Sequence, residues 1–218
     1  ASHAAVRTIT IGEMPALTEM VGRDKLLLVA HEKLNKHSGK PAALAITGAS
    51  GLGKTLFATH YKARYENNYD LVVWLDDRLG LDVQIENFIS SYKHHFPDNA
   101  TPEASKVLSP ITRFKNILKN TNLRWLLVLD NANDAEKAKD LLISSAYSEV
   151  AHQIITTQDS SSWVESIHLE NLSEEVATHF FMKRSSSDNI EVAKSICQTL
   201  GNHPFAVKIA ANYLKESP

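Results

Sequence analysis

The chain has 218 residues, and its 23 Lys and Arg residues against 25 Asp and Glu residues give a formal net charge of −2. This length allows one full domain with a smaller companion and excludes three compact units. The balanced charge excludes a global basic field, so neither nucleic acid nor a membrane is expected as a partner. The single cysteine, Cys197, lies in an apolar helical pattern, which indicates a small buried residue and a reducing, cytoplasmic compartment.

Five apolar runs rich in β-branched residues predict buried strands. The predicted strands are Ala42–Thr47, Leu71–Leu75, Trp125–Leu129, Gln153–Thr156 and Ile167–Leu169. Because these runs do not alternate with polar residues, they favour a five-stranded parallel sheet covered by helices on both faces. Helical patterns lie between the strands, so the predicted fold class is α/β with right-handed crossovers.

Two of these helices follow the second strand and are predicted from apolar residues spaced three and four apart. Their apolar faces consist of Ile85, Phe88, Ile89, Tyr92 and Phe96, and of Val107, Leu108, Ile111, Phe114 and Leu118. In the second of them Thr101 is the expected N-cap, Pro102 the expected first residue and Pro110 an expected kink. Asn133, with Glu136 three residues later, marks the start of another helix.

After the fifth strand the pattern changes to three short amphipathic helices. They are predicted near Ser173–Met182, Asn189–Leu200 and Phe205–Leu214. The expected apolar faces of the last two are Ile190, Ala193, Ile196, Cys197 and Leu200, and Ala206, Ile209, Ala210 and Tyr213. The chain is therefore expected to contain an N-terminal arm (residues 1–22), an α/β domain (23–170) and a small all-helical lid domain (171–218).

A glycine-rich stretch, GASGLGKT, follows the first predicted strand and fits the pattern G-x-x-x-x-G-K-[ST]. In such a P-loop the backbone N–H groups point at phosphate oxygens, and the next helix begins with its positive end there. Lys54 is expected to reach the β- and γ-phosphates, and Thr55 to hold Mg²⁺ through its hydroxyl. The residues expected to bind the nucleotide here are Gly48, Ala49, Ser50, Gly51, Leu52, Gly53, Lys54, Thr55 and Leu56.

An acidic residue at the end of a buried strand is the second expected element of the metal site. Asp130 follows four aliphatic residues, Leu126 to Leu129, and lies about 75 residues after the P-loop. An Asp in this position also caps strand-to-helix turns, but its combination with the P-loop favours Thr55 and Asp130 as the Mg²⁺ ligands.

Seven segments in order, from Met20 to Leu214, resemble the motifs of one family. They read MVGRDKLL, GASGLGKT, YDLVVWLD, WLLVLDNAND, HQIITTQD, LENLSEEVATHFF and LGNHPFAVKIAANYL. They are similar to the motifs of the signal-transduction P-loop ATPases of the NB-ARC (AP-ATPase) type, members of the STAND class. The resemblance implies a P-loop NTPase domain followed by a helical lid, with ADP or ATP and Mg²⁺ as ligands.

The resemblance also implies roles for residues outside the P-loop. Val21 and Arg23 would lie by the adenine, and Pro204 would touch it from the helical side. Thr156 and Thr157 would end a strand that lies between the P-loop strand and the metal strand, close to the γ-phosphate. Pro204 also suits a first helical turn, Arg23 also suits an exposed helix start, and the threonines also suit ordinary strand positions.

Two positions depart from the family pattern. Asn131 stands where a second acid is common, and an amide can orient a water molecule but cannot take its proton. Gln158 stands where many relatives have an arginine near the γ-phosphate. Hydrolysis involving Lys54, Asp130, Asn131 and Gln158 is therefore expected to be slow. The alternative general bases are Asp76, Asp77 and Asp134.

A nucleotide-dependent switch with weak ATPase activity is the function expected from these residues. The resemblance implies effector and sensor domains in cis and nucleotide-dependent self-association. The alternatives are an AAA+-like remodelling motor, with Arg113 or Arg124 as its arginine finger, and a P-loop phosphotransferase with Asp76 as its base. His203, which precedes Pro204, is a further candidate for a phosphate contact.

Overall fold

The computed structural model describes residues 8–36, 40–96 and 108–216. Its strands are β1 (Ile9–Ile11), β2 (Ala42–Thr47), β3 (Leu71–Asp76), β4 (Trp125–Asp130), β5 (Ala151–Thr156) and β6 (Ser166–His168). Its α-helices are α1 (Asp24–Asn35), α2 (Lys54–Tyr65), α3 (Leu81–His95), α4 (Pro110–Asn120), α5 (Ala135–Leu141), α6 (Glu174–Ser185), α7 (Ile190–Thr199) and α8 (Pro204–Glu216). Single 3₁₀ turns occupy Glu66–Asn68 and Asp77–Leu79.

The strands form one parallel sheet in the order β1-β3-β4-β5-β2-β6. The prediction of a parallel α/β sheet is confirmed, and so is the position of β5 between the P-loop strand β2 and the metal strand β4. Because the strands are parallel, their carboxyl ends meet at one edge, where ligands of open α/β sheets bind. The P-loop, Asp76, Asp130 and Thr156 all lie at this edge.

The sequence prediction missed strand β1, which makes six strands in the described part of the chain where five were expected. Three residues carry too little pattern to predict a strand, and β1 is fixed instead by its pairing with β3, where Ile9 lies opposite Leu71. Gly12 ends this strand at a φ of 113°, and a Cβ there would lie 1.9 Å from the carbonyl oxygen of Trp74. The backbone of the two strands can approach this closely only because residue 12 is a glycine.

Helices cover both faces of the sheet, as the sequence predicted. Helices α3, α4 and α5 pack on one face around Phe88, Phe114 and Trp125, whereas α1 and α2 pack on the other around Phe57 and Trp74. A third apolar cluster lies in the C-terminal helices and includes Leu172, Phe181, Cys197, Val207 and Ala211. No helix in the described part of the chain has both the length and the apolar character of a bilayer-spanning segment.

Two helix starts differ from their predictions. Pro110 does not kink a helix but begins α4, with Ser109 as an N-cap that accepts a hydrogen bond from the Thr112 N–H. Proline suits this first position because its missing N–H has no helical partner there. The expected start at Thr101 and Pro102 lies outside the described residues.

The start of α5 and the buried face of α8 are the other corrections. The N-cap of α5 is Asp134, which accepts from the Lys137 N–H, so the predicted Asn133 start is one residue early. In α8 the buried residues are Val207 and Ala211, whereas Ile209 and Tyr213 are 52% and 72% exposed. The predicted face of α8 was wrong because apolar residues cover most of this helix, and spacing alone does not select the side that meets α6.

Candidate functional site

The P-loop curls between β2 and α2 through three glycines with positive φ: Gly48, Gly51 and Gly53. Lys54, the first residue of α2, donates hydrogen bonds to the carbonyl oxygens of Gly48 and Ala49, each at 2.8 Å. Burial lowers the pKa of the Lys54 ammonium, and the Asp130 carboxylate opposes this shift. The loop therefore places a cation and a helix N-terminus at one point, which favours an anion.

Gly51 is the point at which the C-terminal helices touch the P-loop. A Cβ at this residue would lie 2.6 Å from Cε1 of His203 and 3.2 Å from Cβ of Phe205. The His203 ring also makes a hydrogen bond through Nε2 to the Ser50 carbonyl oxygen at 3.0 Å. Its Nδ1 accepts from the Ala206 N–H, so Nε2 carries the proton and donates to Ser50. The helical segment and the phosphate loop are thus in direct contact.

Asp130 is the centre of a buried polar cluster at the end of β4. Its Oδ1 accepts hydrogen bonds from the Thr55 hydroxyl at 2.8 Å and from the Thr156 hydroxyl, and its Oδ2 accepts from Asn131 Nδ2 at 3.1 Å. Burial raises the pKa of this carboxyl, although the hydrogen bonds from Thr156 and Thr55 favour the ionised form. The two predicted Mg²⁺ ligands, Thr55 and Asp130, are therefore neighbours.

Asn131 connects Asp130 with Asp76 on the adjacent strand. Its Nδ2 also donates to Asp76 Oδ1 at 3.2 Å, and its backbone N–H donates to the Thr156 hydroxyl at 2.9 Å. The residue has a φ of 58°, in the left-handed region that Asn tolerates better than most residues. Burial opposes the ionisation of Asp76, but hydrogen bonds from Arg78 and Asn131 outweigh it and lower the pKa of this carboxyl.

Two adjoining cavities lie against the P-loop. The first, about 350 Å³, is lined by the P-loop and Phe205, and also by Asn131, Asn133, Thr157 and Gln158. The second, about 140 Å³, is lined by Val21, Arg23, Leu52, Leu172, Phe180, Pro204 and Phe205. Their shared walls are Gly51, Gly53, Leu56 and Phe205. One elongated ligand with an anionic and an apolar end would fit the pair.

The structure brings most of the predicted nucleotide contacts to these cavities. Arg23 also donates a hydrogen bond to the Glu170 carbonyl oxygen, and burial lowers the pKa of its guanidinium. The sequence reasoning missed Leu172 and Phe180, because Val21, Leu52 and Pro204, which line the same cavity, are distant from them in sequence, and it also missed Phe205, which follows the predicted Pro204. It also missed Arg78, whose position beside Asp76 gives no pattern.

Several alternative candidates lie elsewhere. Asp134 caps α5, and Asp77 pairs with Lys137 at 2.6 Å. Arg113 pairs with Glu86 at 3.1 Å on the outer helices. Arg124 binds Asp70 through its guanidinium and backbone N–H before β3 and β4 begin, at the sheet edge opposite the P-loop. Neither arginine reaches the site of its own chain.

A larger cavity of about 410 Å³ lies between α4 and the segment after α5. Its wall includes Lys115, Lys119 and Asp140, and none of the residues predicted to bind a nucleotide. Lys115 is held by the Asp140 carbonyl oxygen. We place the functional site at the P-loop because a glycine-rich turn, a helix N-terminus and a buried carboxylate converge there.

The parallel sheet, the P-loop and the Thr55–Asp130 pair define a P-loop NTPase. The model of the NB-ARC domain matches residues 23–191, and the chain belongs to the NB-ARC family. No curated protein matches the chain at a significant level.

Solved structures share this fold. A Signal Transduction ATPase with Numerous Domains (STAND) protein with a tetratricopeptide repeat sensor, from Pyrococcus horikoshii, is 20% identical with a TM-score of 0.59; the match covers 94% of this chain and 31% of that one. Cdc6p from Pyrobaculum aerophilum is 13% identical with a TM-score of 0.57, over 93% of this chain and 62% of that one. The ADP form of the Aeropyrum pernix ORC2 protein is 14% identical with a TM-score of 0.56, and the match covers 93% of this chain and 64% of that one. The chain spans about a third of the length of the STAND protein.

Proposed function

We propose that the protein is a nucleotide-dependent switch that holds ADP or ATP between its α/β domain and its helical lid and hydrolyses ATP slowly. One observation carries this proposal: His203 and Phe205 contact the P-loop, and Phe205 and Pro204 line the same cavities as the predicted nucleotide contacts. A ligand there touches both parts of the chain. It can therefore shift their relative arrangement by its different affinity for each arrangement.

In this proposal the base lies in the smaller cavity, against Val21, Arg23 and Pro204, and the phosphates follow the P-loop. The side chains of Thr55 and Asp130 fit Mg²⁺, because hydroxyl and carboxylate oxygens are its preferred protein ligands. Within the described ranges, no group of three or more His, Cys, Asp or Glu residues is placed to hold a metal ion. Mg²⁺ would therefore bind together with the nucleotide, where it supplies charge neutralisation at the phosphates.

Slow hydrolysis follows from the residues at the cavity of about 350 Å³ beside the P-loop. Asn131 and Gln158 line it, and neither side chain can take a proton from water or supply a positive charge. Lys54 is the cation at this position, and it supports tight binding of the phosphates as well as charge stabilisation during the reaction. We therefore expect tight binding of the nucleotide together with slow turnover.

The motor alternative needs a free arginine at a subunit boundary. The ion pairs of Arg113 with Glu86 and of Arg124 with Asp70 do not favour it. For the phosphotransferase, Asp76 is buried behind Asn131 and bound to Arg78, which does not favour a role beside an acceptor pocket.

The further partners remain part of the proposal. The solved STAND relative carries a tetratricopeptide repeat sensor, and a sensor domain in cis is proposed here by analogy. Nucleotide-dependent self-association and a cytoplasmic location belong to the same proposal.

Identification of the co-purified nucleotide tests the binding part. We expect purified protein to release ADP on denaturation, and Lys54→Ala to lose it. We also expect weaker ADP binding in His203→Leu, because the hydrogen bond of its ring to the Ser50 carbonyl oxygen is lost, whereas His94→Leu, at an exposed position on α3, is the matched control and should bind like the native chain. Titration calorimetry then gives the ADP affinity of each chain. Millimolar affinity of the nucleotide-free native protein would contradict the proposal.

The switch part needs a measurement of arrangement. Spin labels at Asp82→Cys on α3 and Lys215→Cys on α8, both exposed positions, in a Cys197→Ala background report the distance between the two parts. We expect different distance distributions with ADP and with a non-hydrolysable ATP analogue. Identical distributions at saturating nucleotide would exclude the switch and leave a static nucleotide-binding protein.

A further inference from the structure

The carboxamide of Asn131 lies between two carboxylates. Its Nδ2 donates one hydrogen bond to Asp130 Oδ2 at 3.1 Å and another to Asp76 Oδ1 at 3.2 Å. Asp76 and Asp130 are register partners at the ends of β3 and β4. Since a carboxylate only accepts, these two neighbours require the NH₂ group on their side and leave Oδ1 for the cavity that Asn131 lines.

Arg78 fixes Asp76 in this role. Its Nε donates to Asp76 Oδ1 at 3.0 Å, its Nη2 donates to Oδ2 at 2.6 Å, and its backbone N–H donates to Oδ1 at 3.0 Å. Gln84 exchanges two hydrogen bonds with the Asp76 backbone, at 2.9 and 2.7 Å. The Asp76 side chain is 7% exposed, whereas that of Arg78 is 64% exposed. A bidentate arginine is a strong partner for a buried carboxylate.

We infer that Asp76, held by Arg78, is a positioning residue that keeps the Asn131 carboxamide oxygen directed at the phosphate cavity. The same arrangement places the Asp76 carboxylate at the end of β3, outside the lining of the cavity, and the Asn131 amide directly after β4, in the cavity wall. This inference rests on the proposed ATP hydrolysis and explains why that hydrolysis is slow.

The chemistry follows from this placement. In hydrolysis a water oxygen bonds to the γ-phosphorus, the bond to the bridging oxygen breaks, and a proton leaves the water. Asn131 Oδ1 can accept a hydrogen bond from that water and orient it, but the proton must pass to a phosphate oxygen. An acid in the cavity wall would take the proton itself, which is typically worth about 10²–10⁴ in rate.

Asn131→Asp alone is therefore not expected to create a faster enzyme. It would place a third carboxylate within hydrogen-bond distance of two others, Asp76 and Asp130, which are both buried, and like charges at such distances repel. The exchange Asp76→Asn/Asn131→Asp keeps the count of one amide and two carboxylates and moves the acid into the cavity wall. This double variant isolates the position of the acid from the total charge of the cluster.

The experiment measures single-turnover ATP hydrolysis, ADP affinity and thermal unfolding for the native chain, both single variants and the exchange. We expect a gain in rate of about 10² for the exchange, less than a twofold gain for Asn131→Asp with a lower melting temperature, and a several-fold loss for Asp76→Asn. An equal gain in Asn131→Asp and the exchange would overturn the inference. Normal ADP binding with no gain in a folded exchange variant would overturn it too.

Arg78→Gln provides a test that does not depend on folding of the exchange variant. Its side chain is mostly exposed and lies outside both cavities, so ADP affinity should stay within about twofold while hydrolysis falls several-fold, because Asn131 loses its fixed orientation. Arg78→Lys, which retains a charged donor, should restore part of the rate. Equal rates in Arg78→Gln and the native chain would contradict the positioning role. Loss of ADP binding in the native chain itself would instead contradict the proposed function.

Discussion

The buried histidine of strand β5 leads to a prediction about stability at acid pH. His152 is 5% exposed, and its Nδ1 makes a hydrogen bond of 2.8 Å with the Tyr69 hydroxyl. Tyr69 continues the chain of hydrogen bonds to Tyr61 and from there to His31, each at 3.1 Å. Burial, and to a smaller extent the charge of His31, lowers the pKa of His152 from 6.5 to about 4. The histidine is therefore neutral in the folded protein at pH values where it is charged in the unfolded chain.

The sign and size of the effect follow from this difference. Below pH 6.5 the unfolded chain binds a proton that folded His152 does not, so the free energy of unfolding falls as the pH drops from about 6.5 towards 4. At 1.36 kcal/mol per pKa unit, the loss is about 2 kcal/mol at pH 5 and about 3 kcal/mol once both states are protonated. The contribution of the neutral, buried His152 to the free energy of unfolding is fully present above its unfolded pKa of 6.5.

Urea unfolding of the native chain and of His152→Gln between pH 7.5 and 4.5 measures this loss. We expect His152→Gln to be less stable at pH 7.5, because its fit to Tyr69 is poorer, but to lose about 2 kcal/mol less than the native chain between pH 7.5 and 5. His94→Gln, at an exposed position, should follow the native curve. Parallel curves for the native chain and His152→Gln would refute the reasoning.

Three further predictions concern the P-loop, the sheet edge and the core. Gly51→Ala would place a methyl group against His203 on a residue whose backbone has a φ of 78°, so we expect about tenfold weaker ADP binding, or more, by calorimetry. Unchanged ADP affinity would mean that His203 can move away from residue 51 at little cost. Arg124→Ala should cost about 1 kcal/mol through its lost pair with Asp70 and leave hydrolysis unchanged, whereas a loss of hydrolysis would favour the motor. Phe114→Ala should lower the free energy of unfolding by about 3–5 kcal/mol in urea titrations, and a cost below about 1 kcal/mol would indicate that α4 is loosely packed.

The strands and the P-loop were predictable because their signals are local. Leu126–Leu129 is a continuous aliphatic run, and Gly48–Thr55 has a fixed order of residue types that a phosphate-binding turn needs. The start of α4 was not predictable from the same rules. Pro110 is compatible with a kink and with a first turn, and only the Ser109 cap in the structure decides between them.

The buried face of α8 and the contact of Asn131 with Asp76 could not be predicted either, because both depend on segments that are distant in sequence. The apolar residues of α8 lie around most of its circumference, so the position of α6 determines which side of α8 is buried. The sequence identifies Asn131 as a departure from the family pattern, but its contact with Asp76 joins residues 55 positions apart. Such contacts arise from strand pairing, which residue spacing does not encode.

The sequence by itself therefore determined the class of this protein: a parallel α/β sheet, a P-loop before a helix, and Thr55 with Asp130 as a candidate metal pair. These features depend on residue types at short, fixed spacing. Only the tertiary structure decided that β1 pairs with β3, that His203 meets Gly51, and that Asn131 contacts Asp76, the carboxylate that Arg78 binds. Each of these depends on which distant segments the folded sheet brings together, and packing of the whole core fixes that choice.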